Sequence, residues 1–340
     1  MRQAIMTKPG HIEFREAAAP APGPGQVLLR IRRIGVCGSD IHVWHGKHPF
    51  TPYPVIQGHE YSGTVEAVGP GVERLKPGMK ATARPQVVCG TCDPCRRGDY
   101  NTCNSLKVEG FQAPGCAQDL FVVPADRLVV LPDTLTYEQG ALVEPAAVAA
   151  HSTGRAGDLS GRNVVVLGAG TIGNLVAQAA RCRGARNVLI TDLSEFRLEK
   201  ARACGVAHTC NVGKEKLPDA VKRAFGPEGF DVAFEAVGAE SALDDAIQTI
   251  GKGGRIVVVG VFGDRPRVDM SIVGDRELSL VGTLMYKHED YEQALRWIAS
   301  GAVLTGPLIT GHFAFEQYAE AYRFIEQQAG NTLKVMIDVN

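Results

Sequence analysis

Four cysteines, Cys89, Cys92, Cys95 and Cys103, fall within CGTCDPCRRGDYNTC (89–103) with the spacing Cys-x2-Cys-x2-Cys-x7-Cys. Thiolates this close can form a tetrahedral shell around one Zn2+, leaving no position for water or substrate. Gly90, Pro94 and Gly98 supply the bends that such a wrap requires. Two disulfides packed into the same loop would be strained, and an iron–sulfur cluster would draw on the same four thiolates. The spacing favours a structural zinc lobe. A second chemistry-bearing stretch is GAGTIG (168–173), which follows the apolar run NVVVL. Gly168 permits a tight turn and Gly170 a close approach to a pyrophosphate. Gly173 brings helix onto strand, with Thr171 and Ile172 opening the helix whose N-terminus faces the phosphates. The next apolar run ends at Asp192, nineteen residues after Gly173. A carboxylate there can accept from both ribose hydroxyls and repels a 2′-phosphate, which favours NAD over NADP. Arg197 could lie along the adenine ribose or stand as a solvated helix charge.

These stretches need elements to position them. AAAPAPGPGQ (17–26) is a Pro/Gly connector, and VLLRIRRIGV (27–36) reads as a strand. YSGTVEAVG (61–69) is strand-like, and GPGVERLKPGMKATA (69–83) has the turn density of a small β-barrel-like domain. Strands are expected at 119–123 and 127–131, and a helical period begins at Tyr137. Near residue 150 the composition shifts. Apolar strands then alternate with amphipathic helices through AHTCNV (207–212), FDVAFEAVG (230–238), a helix at 240–251 and RIVVVGVFG (255–263). That order implies a parallel sheet covered on both faces. Helices at 289–301 and 315–328 and a strand at 333–339 complete the chain.

Bulk properties narrow the class. At 340 residues the chain exceeds the usual reach of one hydrophobic core, so two domains are expected. It is 45% hydrophobic and 21% charged with a formal net charge of −1, which favours neither nucleic acid nor an anionic membrane. No apolar run approaches the roughly 20 residues of a membrane span. MRQAIMTKPG lacks a signal-peptide apolar segment, so a cytoplasmic protein with reduced thiols is expected.

Cys37 in VCGSDIH, His59 and Glu60 in QGHEYSG, the four-cysteine lobe, Glu144 in ALVEPAAVAAH and the glycine fingerprint follow one another along the whole chain. In that order they resemble the zinc-dependent medium-chain alcohol dehydrogenase family, in its polyol (sorbitol-type) and sugar-acid branch. The resemblance implies an α/β fold, with a Rossmann doubly wound parallel sheet inserted into a β-rich GroES-like catalytic domain. That catalytic domain would hold residues 1–147 and 287–340, and the NAD-binding domain residues 148–286. It implies two Zn2+ per chain, one structural and one catalytic. Cys37, His59 and either Glu60 or Glu144 would hold the catalytic ion, one position staying open for the substrate hydroxyl. Ser39 would pass the hydroxyl proton outward through His42. Val237, Gly260, Val261 and Thr283 would contribute cofactor contacts.

The loop VWHGKHPF (43–50) should border the zinc site, making Trp44, His45, Lys47, His48 and Phe50 substrate candidates. Its cations suit a carboxylated sugar. TLMYKHED (283–290) places Leu284 and Met285 as an apolar wall, where some sorbitol-type relatives carry an arginine. ELSLVGTL (277–284) resembles a strand that pairs between subunits in this family, implying a homodimer or homotetramer. The expected activity is NAD-dependent oxidation of a secondary hydroxyl on a polyol or a galactonate-, gulonate- or idonate-type sugar acid. A threonine, butanediol or phosphorylated-polyol dehydrogenase is the alternative on this scaffold. A non-catalytic NAD-binding protein is the alternative in another class.

Overall fold

The computed structural model describes residues 1–340, the side chain of Ala329 excepted. It divides into two compact units. The first comprises Met1–Glu144, Lys287–Leu295 and Ile309–Asn340, and the second Pro145–Tyr286 and Arg296–Leu308. The segment Arg296–Leu308, expected in the catalytic domain, therefore packs with the dinucleotide-type unit. Side chains of the helix Thr171–Cys182 and its C-terminal flank hold it there. Gln178 donates to Leu304 O at 3.1 Å and accepts from Leu304 N at 2.7 Å, while the Arg183 guanidinium lies 5.6 Å from the Trp297 ring centre. Its amphipathic period shows a buried face without saying against which unit.

The first unit is built on one long strand, Gln26–Val36, whose apolar side chains are almost all buried. It pairs antiparallel with Glu60–Val68, Leu120–Pro124 and Lys334–Asp338. Ile31, Ile34, Tyr61, Val65, Phe121, Phe315, Tyr318 and Tyr322 fill the core beneath. Each large apolar side chain so buried contributes about 1.5–3 kcal/mol. Two elements escape the sequence reading. The strand Ile309–Ala314 pairs parallel with Lys334–Asp338, but Gly311 and partial exposure blur its alternation. The helix Gly38–Trp44 is too short to show a period.

A buried acid behind this sheet gives the unit a pH response. Glu109 is 3% exposed, accepts from Tyr61 OH at 3.0 Å and pairs with Arg127 at 2.8 Å. Burial pushes its carboxyl up to about 7 against the pull of Arg127. A carboxyl that titrates higher in the fold than in the unfolded chain holds more proton in the native state. This group's contribution to stability therefore falls as pH rises through the window from its ordinary value towards 7, and it is level above. Glu109→Gln should flatten the pH slope of the urea midpoint there by about one proton. An unchanged slope would show that Arg127 keeps the carboxylate ionised throughout.

In the second unit six parallel strands run, in chain order, Asn163–Leu167, Asn187–Asp192, His208–Asn211, Val232–Glu235, Arg255–Val258 and Ser279–Gly282. They lie side by side in the order 3-2-1-4-5-6, the doubly wound arrangement. NVVVL is buried along its whole length because helices cover both faces. Among the described residues, no helix is long and apolar enough to cross a membrane.

Candidate active site

Cys37, His59 and Glu60 each offer one donor atom, and these atoms lie within 4.8 Å of one another. The sheet brings them together. Cys37 directly follows the long strand and caps the helix Gly38–Trp44, and Glu60 stands opposite Gly35 in the strand register. Gly58, at φ +90°, turns the chain into His59 where an added Cβ would lie 2.8 Å from Cys116 Sγ. Gly35 is required for a similar reason, since a Cβ there would sit 2.3 Å from Glu60 Oε2.

Two residues without an assigned role in the sequence reading complete this cluster. Asp40 is buried, accepts from Cys37 N at 2.9 Å and places Oδ1 3.4 Å from His59 Nδ1, short of hydrogen-bond alignment. Such carboxylate–histidine pairs orient metal-bound imidazoles. Lys334, 3% exposed, pairs with Glu60 Oε2 and donates to Val36 O at 3.0 Å. The surroundings favour positive charge at this point. Burial opposes the charged forms of His59 and Lys334, yet Asp40 and Cys37 raise the first, and Glu60, Cys37 and Glu144 raise the second. A thiol, an imidazole and a carboxylate in a cation-favouring field fit Zn2+ with a position to spare. Glu144 is buried nearby but is not one of the three close donors.

Cys89, Cys92, Cys95 and Cys103 likewise lie within 4.8 Å of one another, with sulfur separations of 3.5, 3.8 and 4.0 Å among them. Four ligands at the usual Zn–S distance would sit about 3.8 Å apart at tetrahedral angles. The amides of Thr91 and Cys92 bring the Cys89 thiol down to about 5, favouring the ligating thiolate.

The loop after Cys37 departs in part from expectation. Trp44 is not a substrate contact; it is 6% exposed and packs edge-on against Tyr322 in the core. Its position on the helix turns it inward beside Val43. His45 pairs with Glu326 on the helix Tyr318–Gln328. Lys47 and Phe50 are exposed, as is His42, while Ser39 is half-buried. His48 Nδ1 lies 2.7 Å from Thr51 Oγ1, and its ring stacks on Phe111 at 4.8 Å. Burial and then His42 lower its pKa, which favours the neutral imidazole. Phe111 continues to His59 at 5.0 Å, so it walls the donor cluster. Nothing in VEGFQAPG marks that phenylalanine as part of a site.

In the second unit the fingerprint has the expected form. Gly168 takes φ +98°, and a Cβ on Gly173 would fall 1.8 Å from Gly168 O. Gly170 caps the helix Thr171–Cys182, and an added Cβ there would meet nothing within 4 Å, leaving an open cradle before the helix. Thr171 and Ile172 are half-buried on its first turn. Asp192 ends its strand and accepts from Ala169 N and Ser194 N, each at 2.8 Å, with Arg197 3.9 Å away. Val237 and Val261 are exposed at the strand ends beside Gly260. Thr283 has a buried hydroxyl oxygen without a hydrogen-bond partner among the described residues. Met285, half-buried, takes φ +48°.

Comparisons with known proteins identify the family. Residues 23–133 match the alcohol dehydrogenase GroES-like domain, and residues 171–300 match the zinc-binding dehydrogenase family. The Bacillus subtilis sorbitol dehydrogenase is 30% identical over 100% of this chain and 98% of its own. A Rhizobium johnstonii L-threonine 3-dehydrogenase is 32% identical over 99% and 98%. An Escherichia coli alcohol dehydrogenase solved with NADH superposes with a TM-score of 0.92 at 29% identity, covering 99% of each chain. The chain belongs to the zinc-dependent medium-chain alcohol dehydrogenase family. It is a dehydrogenase of alcohol CH–OH donors with a nicotinamide cofactor.

Proposed function

We propose that the protein oxidises a secondary hydroxyl of a polyol or sugar acid with NAD+. The close Cys37–His59–Glu60 donor set carries this reading. Zinc held by these three residues would supply Lewis acidity at the substrate oxygen, and a bound nicotinamide would supply the hydride acceptor. Asp40 orients His59, and Lys334 anchors Glu60. Ser39 and His42 share one face of their helix at i, i+3 spacing, so Ser39 Oγ can take the hydroxyl proton and exposed His42 can release it. Phe111 and neutral His48 offer an apolar face and a hydrogen-bonding nitrogen to a hydroxylated carbon chain. With His45 paired and His48 neutral, exposed Lys47 carries the loop's charge towards a carboxylate.

The test is NADH formation across polyols, sugar acids, phosphorylated polyols and threonine, with and without chelator. Chelator-sensitive turnover of a polyol or sugar acid supports the proposal. Turnover confined to threonine would favour the amino-alcohol reading that the Rhizobium relative offers. NADH binding without any turnover would favour a non-catalytic protein.

We also propose that Asp192 sets the preference for NAD. Its carboxylate ends the second strand 23 residues beyond Ala169, the amide that it holds. Asp192→Gly should raise the NADP:NAD ratio of kcat/KM by about tenfold, because one repelling charge is lost. An unchanged ratio would remove Asp192 from the cofactor site. A homodimer is proposed through Ser279–Gly282, the last strand of its sheet, where Leu280 is 37% exposed. Light scattering should give at least twice the chain mass.

A further inference from the structure

Glu235 is fully buried at the C-terminal end of the fourth strand of the second unit, and the proposed mechanism does not use it. It holds two loops at once. Its side-chain Oε1 accepts from Val237 N and Gly238 N, both at 2.8 Å. Its main-chain oxygen accepts from Val259 N and Gly260 N, also at 2.8 Å. The two loops are pressed together. A Cβ on Gly238 would fall 2.4 Å from Val261 O, and one on Gly260 would fall 2.2 Å from Gly238 N and 2.7 Å from Glu235 Oε2. Oε2 itself is buried with no hydrogen-bond partner among the described residues. A hydrophobic residue would fill this space with less desolvation cost, so the carboxyl is retained against a penalty. Burial raises its pKa, with the amides of Gly238 and Val237 opposing.

What the carboxyl holds in place is apolar and outward-facing. Val237 is 52% exposed and Val261 78% exposed, one on each loop, and a Cβ at Gly168 would lie 2.9 Å from Val237 Cγ2. In the strand order 3-2-1-4-5-6, Asp192 lies on the second strand and Glu235 on the fourth, on opposite sides of the fingerprint strand. A dinucleotide laid across the strand ends with its adenosine towards Asp192 presents its other half to the fourth and fifth strands. We infer that Glu235 is a positioning residue for the nicotinamide half of the cofactor, fixing Val237 and Val261 as the apolar rim offered to it. The inference rests on the dinucleotide reading above.

The experiment is calorimetric binding of NADH and of ADP-ribose, which lacks the nicotinamide, to the full chain and to two variants. Glu235→Ala removes the acceptor of two amides and should weaken NADH by about tenfold, the loss of one buried hydrogen-bonded acceptor. ADP-ribose should change by less than about twofold, because its contacts lie across the fingerprint strand. Glu235→Gln keeps one acceptor oxygen for the amides and should restore NADH to within about threefold of the parent. Equal losses for both ligands would make Glu235 a general structural residue and overturn the inference, as would no loss for either. If the alanine variant does not fold, Glu235→Asp, too short to reach both amides, should show the same selective loss for NADH; parental affinity there would overturn it. A parent chain that binds neither ligand would instead refute the cofactor reading itself.

Discussion

Cys37→Ala is expected to lower bound zinc from about two ions per chain to about one and to reduce turnover on the order of a thousandfold. Removing an orienting partner of a metal ligand typically costs roughly 10–100-fold, and removing a ligand itself should cost more. The affinity for NADH should stay within about twofold, since Cys37 and the glycine fingerprint belong to separate units. The four-cysteine lobe should keep its ion, because its donors form a closed set of their own. Metal analysis, NADH titration and turnover on one preparation separate these outcomes. Equal loss of turnover and NADH binding would reject the assigned division of labour, and two retained zincs would reject Cys37 as a ligand.

How much of this was legible in the sequence depends on the distance over which each feature is encoded. The glycine fingerprint and the four-cysteine lobe are local, each within fifteen residues, and spacing alone conveys their geometry. Cys37, His59 and Glu60 become readable through their resemblance to a family, yet the choice between Glu60 and Glu144 does not. What the strand register adds is the placing of Glu60 opposite Gly35, among the close donors with Cys37 and His59. Trp44 is turned inward by a seven-residue helix, which is too short to show its buried face as a period in the sequence. Asp40 lies within VCGSDIH, but its role depends on a contact with His59, nineteen residues on. Phe111 and Glu235 carry no local signal. Their environments arise from packing and from strand order, and neither leaves a pattern in neighbouring residues.

Lys334 is the extreme case, because a lysine in a closing strand reads as solvent-facing and here is enclosed. Lys334→Met should lower stability by roughly 3–5 kcal/mol, because it leaves the Glu60 carboxylate buried beside Cys37 without its cation. Burial opposes the lysine's charge, but Glu60 and Cys37 hold its pKa above the ordinary value. A cation raised in the fold contributes stability that is present below its unfolded pKa and is lost only as pH rises through the folded value. The lysine's own charge should therefore add no pH dependence to the loss in Lys334→Met up to about pH 9. Glu60→Gln alone strands the lysine and should also destabilise. The double variant removes both charges and should recover at least about 2 kcal/mol relative to the sum of the single losses. All four proteins should be unfolded in chelator, so that zinc binding at Glu60 adds nothing to the cycle. Additive losses would show that Lys334 and Glu60 are neighbours without coupling. Lys334 would then be held by Val36 O alone, and Glu60 would be left to the metal.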